Sequence, residues 1–203
     1  MQEKTIQIII APDGCENAKG ICVVFDVLRA SSVECHLHLV GAKKVFPQES
    51  IDETLKMKQL DKNAILFGER DGEKIPGFDF GNSQSAILDN ADKIKGKVCY
   101  HNTTAGTQAF NEVLKNKQVK EVLISSPNNL TATEKYLKNV LLGEKPKMTM
   151  EEIKKKVKET TGAKFFKKIS YYPEIDFELS FKMDIFDKIL KLENGEAVKY
   201  DVD

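Results

Sequence analysis

The residues best suited to chemistry fall in three short segments, each following an apolar run. The first is Asp26-Val27-Leu28-Arg29-Ala30-Ser31-Ser32, where a carboxylate closes the run Val23-Val24-Phe25 and an arginine follows three residues later. A carboxylate so placed can hold Mg²⁺ through oxygen or attack a phosphorus centre. Arg29 offers a planar fork that matches phosphate, sulfonate or carboxylate oxygens. Ser31 and Ser32 stand where a helix would begin, so their hydroxyls and nearby free N–H groups could receive an anion. A structural alternative is an Asp26–Arg29 ion pair with Ser31 as a simple N-cap.

The second segment spans 68–83 and leaves the apolar run Ala64-Ile65-Leu66-Phe67. Glu69 and Asp79 are candidate metal ligands or a general base, and Arg70 and Lys74 are candidate anion clamps. Gly72, Gly77 and Gly81 permit turns that side chains would block, and Asn82-Ser83 could open a helix. A solvated, salt-bridged loop is the plain alternative, although the length and glycine spacing weigh against it. The third segment, Asn102-Thr103-Thr104-Ala105-Gly106-Thr107, is a strand-to-helix turn that can hold phosphate through N–H groups and hydroxyls, or merely cap a helix. It lacks the Gly-Lys-Ser/Thr ending of a P-loop. His101, just before it, is a candidate acid or base beside a structural role. His36 and His38 are two apart on an expected helix and so make a poor metal pair.

Elements that would position these segments are legible in the pattern. Strands are expected at 5–10, 22–27, 44–46, 64–67, 98–101 and 121–125, and helices at 32–40, 51–59, 107–115, 131–142 and 150–159. Ser50-Ile51-Asp52-Glu53 fits a capping box. Such alternation predicts an α/β fold with a mostly parallel sheet covered on both faces. Ligands bind at the carboxyl ends of such strands, where all three segments lie. The stretch 145–168 is lysine-rich and amphipathic, and 171–192 is rich in Phe, Ile and Leu. Residues 145–203 are expected to be a packed C-terminal extension of a single domain covering 1–203.

Bulk properties narrow the function classes. A chain of 203 residues suits one medium domain with a real core. Lys plus Arg and Asp plus Glu each total 31, and zero net charge argues against a general nucleic-acid binder. Neither a membrane-length apolar run nor a signal-peptide pattern is visible, so a cytoplasmic protein without membrane association is expected. Cys15, Cys22, Cys35 and Cys99 form no Cys-x-x-Cys pair and are expected to be reduced and mostly buried.

Taken together, these segments resemble the 2-phosphosulfolactate phosphatase family. The matching stretches are 23–32 with its Asp-Val-Leu-Arg-Ala core, 68–83 with Gly-Glu-Arg and Gly-Phe-Asp-Phe-Gly-Asn-Ser, and 102–107. Gly41-Ala42 with Val45 and Pro47 adds to the likeness, as does a closing stretch containing Asp176, Phe181, Asp184 and Leu192. The resemblance runs from about 21 to 192 with one gap. It implies a three-layer α/β/α fold and a Mg²⁺-dependent acid phosphatase associated with coenzyme M biosynthesis. The implied substrate is a small phosphorylated hydroxy-acid such as 2-phosphosulfolactate, bearing two anionic ends. Asp26, Arg29, Glu69, Arg70 and Asp79 are the catalytic candidates, with Asp26 and Glu69 holding the metal. Ser31, Ser32, Gly81, Asn82, Ser83, Asn102, Thr103, Thr104, Gly106 and Thr107 are the substrate-binding candidates.

This chain departs from the family pattern in three places. Ser31-Ser32 replaces Thr-Thr, Ala105-Gly106 replaces Asn-Gly, and a Cys-Ala-Gly and Ser-Leu-Glu-Asp region after 121–125 is missing. A rival expectation follows, in which the pocket binds a small anion without turnover. A homodimer burying part of the Phe-rich segment is the candidate assembly.

Overall fold

The computed structural model describes residues 7–9, 11, 13–138 and 149–202. Strands form mostly where β-branched and aromatic residues concentrate, since these side chains pack well on a pleated surface. They are β1 (Gly20–Phe25), β2 (Lys44–Gln48), β3 (Ile65–Arg70), β4 (Glu73–Lys74), β5 (Val98–Asn102), β6 (Val119–Ser125), β7 (Ile189–Glu193) and β8 (Glu196–Tyr200). The helices are α1 (Ala30–Leu39), α2 (Ile51–Leu60), α3 (Gln84–Asp89), α4 (Ala91–Ile94), α5 (Gly106–Lys115), α6 (Leu130–Lys138), α7 (Met150–Glu159) and α8 (Glu174–Ser180). Ser50 caps α2 by accepting the Glu53 N–H, and Thr149 with Glu152 closes a reciprocal capping box on α7.

The fold is α/β around one mixed sheet of order β1-β6-β7-β8-β2-β5-β3-β4. β1 runs parallel to β6, and β5 runs parallel to both β2 and β3, so five strands have a parallel neighbour. Between these two groups lies the β7–β8 hairpin, antiparallel to β6 on one side and to β2 on the other. Its turn, Asn194-Gly195, has positive φ at both residues (51° and 78°), which suits a tight two-residue hairpin. Residues 189–200, within the expected C-terminal extension, thus supply two interior strands of the sheet.

In a flat sheet β1 and β5 would lie about 24 Å apart, five strand spacings. The residues just beyond them nevertheless touch, since Asp26 lies against Gly106. The sheet must curl for that to happen. α1 is enclosed as a result, with residues 30–38 all buried, and its Val33, Cys35 and Leu37 share one core with α5, β2 and β5–β8. A separate cluster of Phe165, Phe177 and Phe181 packs on Val27 and Leu28, just after β1. Phe177, Phe181 and Phe186 are thus buried within the chain.

Of the expected strand 5–10, residues 7–9 lie in no strand, while 5, 6 and 10 fall outside the described residues, as do 139–142 of the expected helix 131–142. All four cysteines are free, and only Cys22 is more than slightly exposed. Burial pushes the Cys35 and Cys99 thiols up to about 12. No helix among the described residues is long and apolar enough to cross a membrane.

Leu190, fully buried on β7 and paired in register with Ile124, tests the hairpin's role. Leu190→Ala should destabilise the protein by about 2–5 kcal/mol, read as a lower urea midpoint in equilibrium unfolding.

Candidate active site

Asp26 follows β1 directly and turns its carboxylate toward the start of α1. Burial pushes this carboxyl above the usual carboxylate range; a charge on His101 and the N–H groups of Ala30 and Leu28 pull it down, and Glu69 adds to the rise. Asp26 thus feels the charges of His101 and Glu69, which lie on β5 and β3. The Ser31 hydroxyl accepts the Asp26 N–H (3.0 Å) and donates to the Val24 carbonyl (3.3 Å), while the Ser32 hydroxyl donates to the Val27 carbonyl (3.1 Å). Both serines are fully buried and hold the β1–α1 turn, rather than presenting free hydroxyls to a ligand.

Opposite this turn stands the start of α5. A Cβ on Gly106 would come within 2.3 Å of the Ala30 Cβ and 2.4 Å of Asp26 Oδ2, so only glycine lets the two helix starts abut. Thr103 and Thr107 satisfy each other: the Thr107 N–H donates to the Thr103 hydroxyl (3.0 Å), and the Thr103 N–H to the Thr107 hydroxyl (2.8 Å). Ala105, at the N-cap, brings no side-chain acceptor. Asn102 is buried, donating to the Thr54 hydroxyl (3.3 Å) and leaving its amide oxygen unpartnered.

Glu69 joins the second segment to the third. It accepts the Thr104 N–H (2.8 Å) and hydroxyl (3.0 Å) and the Gly72 N–H (2.6 Å), and the Thr104 hydroxyl also accepts the Asp71 N–H (3.0 Å). Arg70 folds back to donate to the Glu69 carbonyl (2.8 Å) and keeps its remaining donors. Asp79 does not join this group. It accepts the Leu66 N–H (2.9 Å) and pairs with Lys58 (3.0 Å), about 10 Å back along β3 from Glu69.

Asn82, 6% exposed, meets His101 instead: its Oδ1 lies 3.0 Å from Nε2, while Glu34 Oε1 lies 2.7 Å from Nδ1. Ser83 caps α3 by accepting the Ala86 N–H (3.2 Å), and Gly81, with no side chain to contribute, lies beside Lys74. A cleft of about 530 Å³ opens beside this loop, lined by Gly72, Lys74, Asn82, Ser83, Ser170 and Tyr171 among others.

Arg29 has a different partner from the one its position suggests. It is 3% exposed, donates to Asp176 (2.7 Å) and the Tyr171 carbonyl (3.0 Å), and lies over the rings of Phe165 and Tyr172. The second Asp176 oxygen accepts the Ser85 N–H (2.9 Å) and hydroxyl (2.7 Å). Tyr172 also lies over Gly72, at a spot a Cβ would occupy. Segment 165–176 thus closes over Arg29 and walls the cleft. Sequence reasoning missed Glu34, Ser170 and the Asp176 partnership. Glu34 carried a signal, being the lone acid in a helix stretch without Lys or Arg to pair it.

Residues 9–142 match the sequence profile of the family described as 2-phosphosulpholactate phosphatase. A probable 2-phosphosulfolactate phosphatase of Clostridium perfringens is 41% identical over 141 residues, covering 66% of this chain and 55% of that protein. One from Clostridium acetobutylicum is 39% identical over 128 residues (61% and 52%), and one from Thermotoga maritima is 34% identical over 137 residues (66% and 55%). The chain spans about half the length of the curated relatives it matches.

Removing the Arg29 guanidinium alone leaves Asp176 buried without its cation. Arg29→Met should therefore cost about 3–5 kcal/mol in chemical denaturation, and adding Asp176→Leu should restore much of that loss.

Proposed function

The chain belongs to the 2-phosphosulpholactate phosphatase family, and from that premise we propose that it is a Mg²⁺-dependent phosphatase for a small phosphorylated hydroxy-acid such as 2-phosphosulfolactate. The observation that carries this reading is the Asp26 carboxylate, set against Gly106 at the start of α5, where the N-cap residue Ala105 offers no side-chain acceptor. A carboxylate beside helix N–H groups suits a dication together with a phosphate.

The residues present fit magnesium. Among the described residues no three His, Cys, Asp or Glu side chains form a metal-holding group, but Mg²⁺ commonly takes one or two carboxylates and fills its sphere with water and substrate phosphate. Asp26 is the favoured direct ligand. Glu69 already accepts three hydrogen bonds and has less capacity left. When bound, the ion would neutralise charge on the ester phosphate.

This chain's own residues would do the rest by positioning. Arg70 and the α5 N–H groups would steady the equatorial oxygens, and Lys74 in the cleft would face the second anionic end. Either Asp26 attacks phosphorus as the P–O ester bond breaks, giving an aspartyl phosphate that water then hydrolyses, or it takes a proton from an attacking water as that bond breaks; in both routes the leaving alkoxide takes up a proton from solvent. Arg29 supports the site from behind by holding segment 165–176. Coenzyme M biosynthesis is the pathway this substrate suggests, and four free thiols favour a reducing, cytoplasmic setting.

A second reading, anion binding without turnover, is favoured by one observation. Arg29, Ser31 and Ser32 are all engaged within the fold. Phosphate release from a panel of phosphorylated hydroxy-acids, with Mg²⁺ and with chelator, separates the two. Mg²⁺-dependent release supports the phosphatase; none from any substrate leaves the binding protein.

Asp26→Asn should abolish release. Its effect on stability has a definite sign. A carboxyl whose folded-state pKa is raised holds its proton more tightly when folded, so it weakens the fold as pH climbs through the window above the usual carboxylate range. At neutral pH, Asp26→Asn should therefore melt no lower than the parent chain, and at acidic pH the difference should shrink.

A further inference from the structure

The segment that walls the cleft brings a lysine with it. Lys164 is half-buried, and its ammonium lies over the rings of Tyr172 (4.4 Å) and Phe165 (6.0 Å). Arg29 lies over the same two rings, but Asp176 holds its guanidinium. Lys164 has no such carboxylate. Among the described residues its ammonium has one hydrogen-bond partner, the Tyr172 hydroxyl at 3.3 Å. Lys58, Lys154 and Lys191 are also largely covered, and each meets a carboxylate. A partly desolvated ammonium is poorly repaid by a neutral oxygen alone.

The donors left over are specific in number. An ammonium has no lone pair, so Lys164 donates and the Tyr172 oxygen accepts. The phenol keeps its own proton to give, and no group among the described residues takes it. Two ammonium protons are likewise left. Two adjacent donor groups that lack an acceptor match the oxygens of one carboxylate or sulfonate.

This pair stands at the cleft. Gly72 lines it with φ at 90°, and a Cβ there would come 2.3 Å from the Tyr172 hydroxyl oxygen. Only glycine therefore admits that hydroxyl to the loop, and the same glycine's N–H donates to Glu69 (2.6 Å). Tyr171 and Pro173, on either side of Tyr172 in the chain, both line the cleft, and the Tyr171 ring packs 5.0 Å from that of Tyr172. Lys74 lines it from β4, with one donor on the Phe78 carbonyl (3.1 Å). The one acid among the lining residues, Glu73, stands opposite Arg70 across the β3–β4 hairpin.

We propose that Lys164 and Tyr172 are specificity residues that hold the acid end of the substrate, a carboxylate or sulfonate, beside Gly72. They select phosphate esters of hydroxy-acids against esters of neutral alcohols. Both residues lie beyond the 9–142 span that matches the family profile, so this selectivity belongs to the chain's own C-terminal part. The inference rests on the phosphatase reading of the cleft.

2-Phospholactate and isopropyl phosphate share a carbon skeleton and differ by a carboxylate in place of a methyl group. The ratio of their kcat/KM values therefore isolates the acid end. The full chain should favour phospholactate. Tyr172→Phe keeps the ring and removes only the hydroxyl, and it should lower the ratio about tenfold; Lys164→Met should lower it at least as much. Should Lys164→Met fail to fold, Tyr172→Phe decides alone. Should neither ester be hydrolysed, the same ratio is read from calorimetric dissociation constants with Mg²⁺ present. A ratio that both variants leave unchanged, or equal losses on the two esters, overturns the inference and leaves the phosphatase standing. Binding without hydrolysis, with a preference for phospholactate that falls in Tyr172→Phe, supports the inference and overturns the phosphatase. Binding of neither ester overturns both.

Discussion

Hydrogen bonding along the two outer edges of the β7–β8 hairpin decides whether this chain has one sheet or two. β1 with β6 and β2 with β5 and β3 form two parallel groups, and among the described strands only the hairpin joins them. The candidate site draws on both groups. Asp26 follows β1, whereas Glu69, His101 and Gly106 belong to β3, β5 and α5, the helix after β5. The separation of the first from the other three is therefore set by strands remote from the chemistry. The curl of the sheet completes the arrangement by bringing the starts of α1 and α5 into contact, and Gly106 is what that contact tolerates.

The Arg29–Asp176 pair acts more locally. Buried ion pairs add little net stability against well-packed apolar substitutes, but a single partner left behind is costly. Their value lies in direction. Both terminal guanidinium nitrogens and both carboxylate oxygens have partners here: Nη1 meets Asp176, Nη2 the Tyr171 carbonyl, and the second Asp176 oxygen Ser85. The rings of Phe165 and Tyr172 exclude water from the guanidinium. Segment 165–176 is thereby held in one place, with Tyr172 over Gly72 and Tyr171 on the cleft wall. The loop carrying Glu69 and the turn carrying Asp26 rest against the same scaffold.

Much of the fold was legible because its strands are short apolar runs bounded by charge. Expected strands at 22–27, 44–46, 64–67, 98–101 and 121–125 all correspond to strands within a few residues. The hairpin was missed although Asn194-Gly195 between alternating runs is a strong local signal; the lysines and glutamates of Lys191, Glu193 and Glu196 masked it. The contacts of Asp26 with Gly106 and of Glu69 with Thr104, both in the 102–107 turn, agree with the rule that strand ends converge. The fate of individual side chains was not so legible. Asp79 pairs back along its own strand, and Arg29 finds a partner 147 positions away. Local sequence holds no trace of that distance, which the packing of Phe177 and Phe181 determines.

β7 and β8 follow the other six strands in the chain, and synthesis proceeds from the N-terminus. Until they emerge, β6 and β2 each present an unpaired inner edge flanked by apolar side chains such as Ile124 and Val45. A ribosome-bound chain stalled before residue 189 would hold two adhesive half-sheets with nothing between them. The middle of this sheet is thus made after its flanks, and during that interval two strand edges are open that the folded sheet closes.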